Sequence, residues 1–317
     1  MQMTVADTAK WIAEHDKFLV VTHRRPDGDT LSSAAALVIG MRAAGKTAFI
    51  MENNETTERY MEYMGDYFEP EGYLASHIVS VDIASAGLFP KGKEEQLDGK
   101  VELCIDHHPS NTSYAEITCL DPTCAACGEL VYDVLLALNG HIDEETAKQL
   151  YIAVSTDTGC FSYGNTTART LKCAAEFAEA GAPIEMLNKE LFRTKTKKRI
   201  ALEGHVFTDM EFFCGSRIAV VALPRTLLDK CGVDENDLED IASIPTIVEG
   251  VEAGMIIREL NDGKIKVSLR SGNTVNSSDV CEKFGGGGHA MAAGCTLDMT
   301  LEETKRAFVE EISRILK

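Results

Sequence analysis

The sequence predicts an α/β protein, with an N-terminal domain built on a mostly parallel sheet and a smaller α/β domain after it. Three observations support this prediction. The chain has 317 residues, which is more than one hydrophobic core usually accommodates. In the first half, short apolar runs alternate with helical patterns, which is typical of a parallel sheet covered on both faces. In the last third, strand-like runs follow one another, which indicates a second sheet.

The elements of the first domain follow from apolar periodicity and from residues that begin or end helices. Apolar runs predict strands, and a period near 3.6 residues predicts helices. The first helix after a strand ends at Gly45, a residue type that favours helix termination. The predicted strands are residues 18–22, 46–51, 77–82 and 101–106, and the predicted helices are residues 30–44, 57–64, 124–138, 144–155, 166–179 and 183–188.

A basic segment, LFRTKTKKRIALEGH, follows these helices and predicts a helical connector. Strand patterns then cover residues 217–223, 251–260 and 264–269. Asn261-Asp-Gly263 is a typical hairpin turn, FGGGGHAMAAG predicts a flexible loop leading into a helix start, and an amphipathic helix begins at Leu301. We assign residues 1–190 to the first domain, 191–212 to the connector and 213–317 to the second domain.

Composition and charge restrict the classes of function. With 44% hydrophobic and 26% charged residues, the chain has the composition of a soluble globular protein. Its apolar runs are shorter than the roughly 20 residues of a membrane span, and its first residues do not resemble a signal peptide, so we expect a cytoplasmic protein with no membrane partner. The net charge of −19 argues against binding along a long nucleic acid, so an anionic substrate should be short.

The ten cysteines are scattered, and Cys124 and Cys127 form the one close pair. A zinc site needs about four ligands, and no second pair with suitable spacing accompanies this one. We therefore expect reduced and mostly buried thiols rather than disulfides or a zinc site.

Acidic residues and histidines stand where the predicted parallel strands end. The strand patterns stop at His23, Asp82 and Asp106, and Asp157 ends an apolar helical pattern. Ligands of open α/β sheets bind beyond the carboxyl ends of the strands. We therefore expect these side chains to meet at one edge of the sheet.

The loop HRRPDGD adds two carboxylates, Asp27 and Asp29, four and six positions after His23. One interpretation is structural, with Asp29 capping the next helix and the arginines in solvent. Considered together, however, the motifs favour a metal site, because three carboxylates and two histidines in one crevice repel one another unless cations lie among them. Mixed oxygen and imidazole ligands favour Mn²⁺ or Mg²⁺, and Asp82 could bridge two ions.

Four motifs occur in order, THRRPDGDT, SVDIAS, CIDHHPSN and STDTGCFSYGNTT, followed by SLRS and GGGGHAMAAG. Over nearly the whole chain this pattern resembles the DHH phosphoesterase superfamily, in particular its oligoribonucleases (nanoRNA hydrolases) that also act on 3′-phosphoadenosine 5′-phosphate (pAp). The resemblance implies a hydrolase that degrades very short oligoribonucleotides to mononucleotides, with pAp phosphatase as a further activity. It also implies two divalent metal ions, with Mn²⁺ preferred and Mg²⁺ as the alternative.

The resemblance also implies roles for single residues, with Asp82, Asp106 and His108 as the catalytic set. The first ion would be held by His23, Asp27 and Asp82, and the second by Asp29, Asp82, His107 and Asp157. His108 would contact a substrate phosphate, and Asp106 would orient the histidines. Because no protein nucleophile is required, we expect Ser32 and Ser33 to lie on the helix surface.

The second domain is expected to bind the substrate. Arg270 ends a predicted strand, and Gly286, Gly287, Gly288 and His289 offer N–H groups and an imidazole suited to a phosphate. A plain loop is the alternative interpretation of the glycines, and the family resemblance makes it weaker. A terminal substrate phosphate on these residues would orient the scissile bond.

Two other features have open interpretations. Phe161 and Tyr163, near Asn165, could stack on a base, or Phe161 could belong to the core. The basic residues of RTKTKKR could attract anions, or they could lie on a solvated helix face, which is the commoner outcome.

Competing functions share parts of this pattern. A manganese-dependent inorganic pyrophosphatase or exopolyphosphatase has the same metal motifs, although SLRS and the Gly-His motif favour a nucleotide substrate. An inactive nucleotide-binding protein of the same fold is the alternative from another class, and the intact ligand set argues against it. A cyclic-dinucleotide phosphodiesterase is disfavoured because membrane and sensor domains are missing. The sequence is compatible with a homodimer.

Overall fold

The computed structural model describes residues 1–234, 236–238 and 240–317. They form two compact units, Met1–Thr194 and Lys195–Lys317. Within these described ranges, none of the helices combines the length and the apolar character that a transmembrane span requires. The ten cysteines are free, and seven of them are buried, as expected for mostly buried thiols.

The first unit contains a five-stranded sheet in which neighbouring strands are parallel. Its strands are β1 (Phe18–Val21), β2 (Ala48–Ile50), β3 (His77–Val81), β4 (Leu103–Asp106) and β5 (Ile117–Leu120), in the spatial order β2-β1-β3-β4-β5. The predicted parallel α/β class is confirmed. The order reverses between β1 and β3, because the chain first moves outward to β2 and then continues on the other side of β1.

Helices pack on this sheet, and several begin at residues that cap them. They are α1 (Val5–Glu14), α2 (Gly28–Ala43), α3 (Glu58–Met64), α4 (Glu94–Leu97), α5 (Cys127–Asn139), α6 (Glu144–Asp157), α7 (Ala168–Glu179) and α8 (Ile184–Asn188), with a 3₁₀ turn at Ala86–Leu88 and a π-helical turn at Lys189–Arg193. Thr4, Asp143 and Thr167 each accept a hydrogen bond from an N–H group of the helix that follows.

Alternate residues of β1 pack on opposite faces of the sheet. Phe18 and Val20 belong to the core that the sheet shares with α2, α5 and α6, whereas Leu19 and Val21 belong to a smaller apolar cluster on the other face. Since both faces are covered, polar side chains from this part of the sheet are accommodated where the strands end.

The second unit contains a mixed six-stranded sheet, as expected for a separate α/β domain. Its strands are β6 (Glu211–Phe213), β7 (Ile218–Leu223), β8 (Ala253–Glu259), β9 (Ile265–Ser271), β10 (Gly287–His289) and β11 (Ala292–Leu297), in the order β10-β11-β9-β8-β7-β6. β7 and β8 are parallel, and the other pairs are antiparallel. Its helices are α9 (Lys197–Thr208), α10 (Arg225–Cys231), α11 (Ser277–Glu282) and α12 (Leu301–Ile315), with 3₁₀ turns at Asn236–Leu238 and Ile241–Ile247.

The Gly-rich stretch is not a flexible loop leading into a helix, so that prediction is wrong. Gly287–His289 forms β10, which pairs with β11 in an antiparallel hairpin. Gly288 has a φ of 148°, and a β carbon there would lie 2.6 Å from the carbonyl oxygen of Ala292. Glycine therefore permits a close approach of the two backbones at this position.

Candidate active site

The reversal of strand order in the first sheet brings the strand-end residues together. His23 follows β1 by two positions, Asp82 directly follows β3, and Asp106 is the last residue of β4. β3 lies between β1 and β4, and the three strands are parallel, so their carboxyl ends share one edge. Such a switch point is where open α/β sheets bind ligands.

The loop between β1 and α2 carries the cap residue of α2, Asp27, and leads to a buried carboxylate, Asp29. Asp27 caps α2, because its Oδ1 accepts hydrogen bonds from the N–H groups of Asp29 and Thr30 at 3.1 and 3.2 Å. The interpretation that Asp29 caps this helix is therefore wrong, and Asp29 instead lies buried within the first turn. Asp27 Oδ2 lies 3.6 Å from His23 Nε2.

Asp29 is anchored by the first turn of α5. Its Oδ2 accepts a hydrogen bond from Cys127 N at 2.7 Å, and its Oδ1 accepts bonds from Gly128 N at 3.0 Å and from Ser33 Oγ at 2.9 Å. N–H groups at a helix N-terminus stabilise negative charge. Ser32 and Ser33 are both fully buried, so the expectation that they lie on the helix surface is wrong.

Asp82 lies between the two histidines His23 and His107. Its Oδ2 is 3.7 Å from His23 Nε2, and its Oδ1 is 3.3 Å from His107 Nε2. Oδ1 is buried and accepts no hydrogen bond from the described residues. The backbone of Asp82 has a φ of 59°, in the left-handed region, while its N–H continues the sheet by donating to Ile105 O at 2.9 Å.

Backbone carbonyls orient both of these histidines. His23 Nδ1 lies 2.7 Å from Arg24 O, and His107 Nδ1 lies 3.1 Å from Cys124 O. A proton donated from Nδ1 to a carbonyl leaves Nε2 as the nitrogen that faces the carboxylates. Cys124, which a zinc site would have used through sulfur, thus contributes its backbone instead.

Three groups of side chains are compact enough to hold a metal ion, with ligand atoms within 4.8 Å of one another in each. The groups are His23, Asp27 and Asp82; Asp29, His107 and Asp157; and Asp82, His107 and His108. The first is the set expected for one ion, and the second contains three of the four residues expected for the other. Their role as ligands stays a prediction.

Asp106 is fully buried behind the two histidines of the DHH motif. Its Oδ1 accepts hydrogen bonds from His107 N at 2.9 Å and from His108 Nδ1 at 2.8 Å, and its Oδ2 accepts one from Asn111 Nδ2 at 2.6 Å. Burial raises the pKa of Asp106, but the bonds from His108 and Asn111 outweigh burial and lower it. Asn111 was not predicted, although it stands in the quoted motif DHHPSN.

A cavity of about 260 Å³ opens onto this site. Besides the histidines and carboxylates already described, its lining includes Arg24, Arg25 and Leu88. Both arginines are exposed, in agreement with the structural interpretation of this loop. They also place two positive charges beside the carboxylates in a chain with a net charge of −19.

The site concentrates negative charge in a buried place. Burial and the charges of Asp82 and Asp157 raise the pKa of Asp29 well above its usual range. Burial also raises the pKa of Asp82, and it raises the pKa of Asp157 to about 6. Burial lowers the pKa of His23 and His107, but neighbouring carboxylates outweigh it and raise these pKa values to about 9 and about 10.

The charge, burial and residue types of this site are suited to the binding of divalent cations. A cation would keep the buried carboxylates ionised and would give the oxygen Asp82 Oδ1 the partner that described side chains do not supply. Carboxylate oxygens and imidazole nitrogens are suitable ligands for Mn²⁺ and Mg²⁺. Asp157 ends α6, where the negative end of the helix dipole also favours a cation.

In the second unit, Arg270 and His289 lie in one row across three strands. β9 pairs Arg270 with Ala292 of β11, and β11 pairs Ala292 with His289 of β10. Directly paired residues project from the same face, and neighbouring strands are about 4.8 Å apart. In this row, Ala292 therefore lies between the backbone positions of Arg270 and His289. Gly287 and Gly288 belong to β10, and Gly286 precedes it.

The aromatic residues after Asp157 and the basic segment both have defined contacts. Phe161 is half-buried and packs against the hydrophobic core, while Tyr163 is 53% exposed. In the basic segment, Lys195 and Arg199 form ion pairs with the buried carboxylate of Glu203, each at 2.7 Å. Ion pairing within the second unit therefore neutralises part of the positive charge of this segment.

Comparisons with known proteins agree with the motifs. Residues 17–154 match the DHH family, N-terminal domain, and residues 215–317 match the DHHA1 domain. Over 303 residues the chain is 30% identical to the bifunctional oligoribonuclease and PAP phosphatase NrnA of Thermus thermophilus, covering 93% of this chain and 90% of that protein. The chain belongs to the DHH family.

A second curated relative and a solved structure are also similar to this DHH protein. It is 26% identical over 298 residues to the bifunctional oligoribonuclease and PAP phosphatase NrnA of Bacillus subtilis, covering 90% of this chain and 91% of the relative. A crystal structure of an exopolyphosphatase-related protein from Bacteroides fragilis has a TM-score of 0.89 at 22% identity, covering 99% of this chain and 97% of that one. At that identity the likeness shows the fold alone.

Proposed function

We propose that this DHH protein uses two divalent cations, preferably Mn²⁺, to hydrolyse very short oligoribonucleotides to mononucleotides and to remove the 3′-phosphate of pAp. The position of Asp82 carries the proposal, because its two oxygens face His23 and His107, which belong to separate ligand groups. A carboxylate so placed would serve as a ligand to both ions, as in two-metal hydrolases. Similarity to the two NrnA proteins over most of the chain supports the substrates.

The two ions have different ligands in this proposal. The first would be held by His23, Asp27 and Asp82, and the second by Asp29, Asp82, His107 and Asp157. Bound cations supply Lewis acidity, which lowers the pKa of water and neutralises charge that develops on a phosphoryl group. A protein nucleophile is then unnecessary.

The remaining residues of the site bind and orient the substrate. Asp106 holds the His108 ring through Nδ1, which leaves Nε2 to contact a phosphate oxygen. Arg24 and Arg25 attract the substrate anion toward the cavity and can bind phosphate oxygens through their guanidinium groups. Hydrogen bonds from Ser33 and the first turn of α5 immobilise the Asp29 carboxylate.

Four substrates offered side by side test this function. Purified protein with Mn²⁺ is given a 5′-phosphorylated diribonucleotide, pAp, pyrophosphate and a cyclic dinucleotide. We expect hydrolysis of the first two, loss of turnover on chelation and recovery with Mn²⁺. Preferential hydrolysis of pyrophosphate would support the pyrophosphatase alternative, and binding of nucleotides without any turnover would support the inactive alternative.

We also propose that the second unit contacts the substrate through Arg270, Gly286, Gly287, Gly288 and His289. The row formed by Arg270, Ala292 and His289 supports this role, because it places two cationic or hydrogen-bonding groups on one face. Arg270→Ala should lower kcat/KM on pAp by a factor equivalent to roughly 2 to 3 kcal/mol of transition-state stabilisation. The reason is the loss of a charge-assisted contact to phosphate.

Bis-p-nitrophenyl phosphate is the control for this prediction, since it lacks a terminal phosphate. Arg270→Ala should leave its hydrolysis nearly unchanged. An equal loss on both esters would assign Arg270 to the chemistry or to the fold, and not to substrate recognition.

A further inference from the structure

Residues 124–128, here called the support segment, hold two members of one ligand group through backbone atoms. The carbonyl of Cys124 lies 3.1 Å from His107 Nδ1. At the other end of the segment, the N–H groups that open α5 donate to both oxygens of Asp29, at 2.7 and 3.0 Å. The distance between His107 and Asp29 therefore depends on the conformation of the support segment.

Asn165 connects the support segment to Asp157, the third member of the same group. Its Nδ2 donates to the carbonyl of Ala125 at 3.0 Å and to the carbonyl of Asp157 at 3.1 Å. Ala125 lies within the support segment, and Asp157 ends α6, where the last carbonyls of a helix have no partner inside the helix. Both partners are acceptors, so the two N–H bonds of one amide group serve both contacts.

We infer that Asn165 is a positioning residue, which sets the affinity of the Asp29, His107 and Asp157 group for a divalent cation without contacting that cation. The inference rests on the proposed two-ion function. It assigns to Asn165 a role that neither the strand ends nor the histidine motif indicates.

The other ligand group is oriented independently of Asn165. His23 is held by the carbonyl of Arg24, and Asp27 accepts hydrogen bonds from the first turn of α2. Among the described residues, the hydrogen bonds of the Asn165 side chain reach the Ala125 and Asp157 carbonyls alone. Loss of Asn165 should therefore weaken the binding of one ion and not of the other.

Arg169 links α7 to α5 without involving the Asn165 side chain. Its Nε lies 3.1 Å from Oε2 of Glu129, a fully buried carboxylate of α5, and its guanidinium group also pairs with Asp133 of the same helix. These ion pairs keep α7 packed near α5. Asn165 itself is exposed, so truncating it removes little packing.

Calorimetric titration of the metal-stripped, full-length protein with MnCl₂ tests the inference in two backgrounds. His23→Ala disrupts the first ligand group and isolates the second, whereas Asp157→Ala disrupts the second and isolates the first. In the His23→Ala background, we expect Asn165→Ala to weaken Mn²⁺ binding about tenfold, the effect of losing a residue that supports metal ligands. In the Asp157→Ala background, the affinity should stay unchanged.

Asn139→Ala is the matched control, because Asn139 Nδ2 also donates to a backbone carbonyl, that of Gly40 at 2.9 Å, at the opposite end of α5. It should change neither affinity. Unchanged binding on Asn165→Ala in the His23→Ala background, equal weakening in both backgrounds, or the same effect from Asn139→Ala would each overturn the inference. A parent protein that binds fewer than two ions would overturn the proposed two-ion function, and the inference with it.

Discussion

An aspartate at position 82 suits both the left-handed backbone conformation there and the need for a carboxylate between His23 and His107. Its φ of 59° lies in the left-handed region, which Asp and Asn adopt more readily than other residues with a β carbon. Its carboxylate oxygens face His23 and His107. Asparagine at this position would meet the backbone requirement alone, and alanine would meet neither, so the two substitutions separate folding from chemistry.

Asp82→Asn is expected to lower kcat by at least about a thousandfold, equivalent to roughly 4 kcal/mol, because the charge between the two ligand groups is lost. In the metal-free protein, it should keep the melting temperature of the parent protein. Asp82→Ala should lose as much activity and also about 1 kcal/mol of stability, because of its backbone conformation. Steady-state hydrolysis of a diribonucleotide and thermal unfolding measure both effects. An Asp82→Asn variant with activity close to that of the parent would contradict the bridging role.

Single residues differed in how well the sequence could predict them. The strand-end acids and histidines were predictable, because each apolar run marks where a strand reaches the edge of the sheet. Ser33 had a usable signal, its i, i+4 spacing from Asp29 on one helix, but its partner was known only once Asp29 proved to be buried. Asn111 and Asn165 act on groups placed by tertiary folding, so local spacing could not assign their partners.

The N-terminus of α5 couples helix packing to the position of Asp29. A β carbon on Gly128 would lie 2.7 Å from the β carbon of Ala153 in α6, so the two helices approach closely at this point. The N–H group of the same glycine donates to Asp29 Oδ1 at 3.0 Å. Any displacement of this turn from α6 therefore also changes its hydrogen bond to the carboxylate.

Gly128→Ala should lower the free energy of unfolding by roughly 1 to 3 kcal/mol, because it overpacks the contact between the helices. It should also weaken Mn²⁺ binding, because the first turn of α5 moves relative to Asp29. Urea unfolding and MnCl₂ titration measure the two effects. Gly164→Ala is the control, since no atom of the described residues lies within 4 Å of a β carbon there. Equal stability of the two variants would argue against the coupling.

Elements were predictable where their own residues carried the pattern. The central strands appear as continuous apolar runs because they are buried on both faces. β5 has four residues, two of them only half-buried, and its strand conformation comes from pairing with β4. β10 consists largely of glycine, which gives no side-chain pattern, and only its pairing with β11 makes it a strand.

The distribution of charge over the whole molecule restricts the length of the substrate. The net charge is −19, and Glu203 already neutralises part of the basic segment by pairing with Lys195 and Arg199. Arg24 and Arg25 supply positive charge at the cavity itself. Such a protein can engage few phosphates, because binding along a polyanion requires many neutralising contacts.

The rate of mononucleotide release from 5′-labelled oligoribonucleotides should therefore fall sharply beyond about five nucleotides. Gel analysis of dimers, pentamers and strands of about 20 nucleotides at equal concentration measures the dependence. The rate on the dimer should also vary little with salt, because few counterions are released. Similar rates on the dimer and the longest strand would contradict the restriction.

The proposed ligand residues extend from His23 to Asp157 along the chain, so the proposed two-ion site would be complete only after β1, β3, β4 and α6 have assembled. While α6 of a nascent chain is still inside the ribosome, the group of Asp29, His107 and Asp157 cannot form, because Asp157 ends that helix. Cations that bind the folded chain and not the unfolded one stabilise it, each by about 2.7 kcal/mol at a free concentration of one hundred times Kd. A cellular shortage of the cation is therefore expected to lower the amount of enzyme, through proteolysis of unfolded chains, as well as the activity of each molecule.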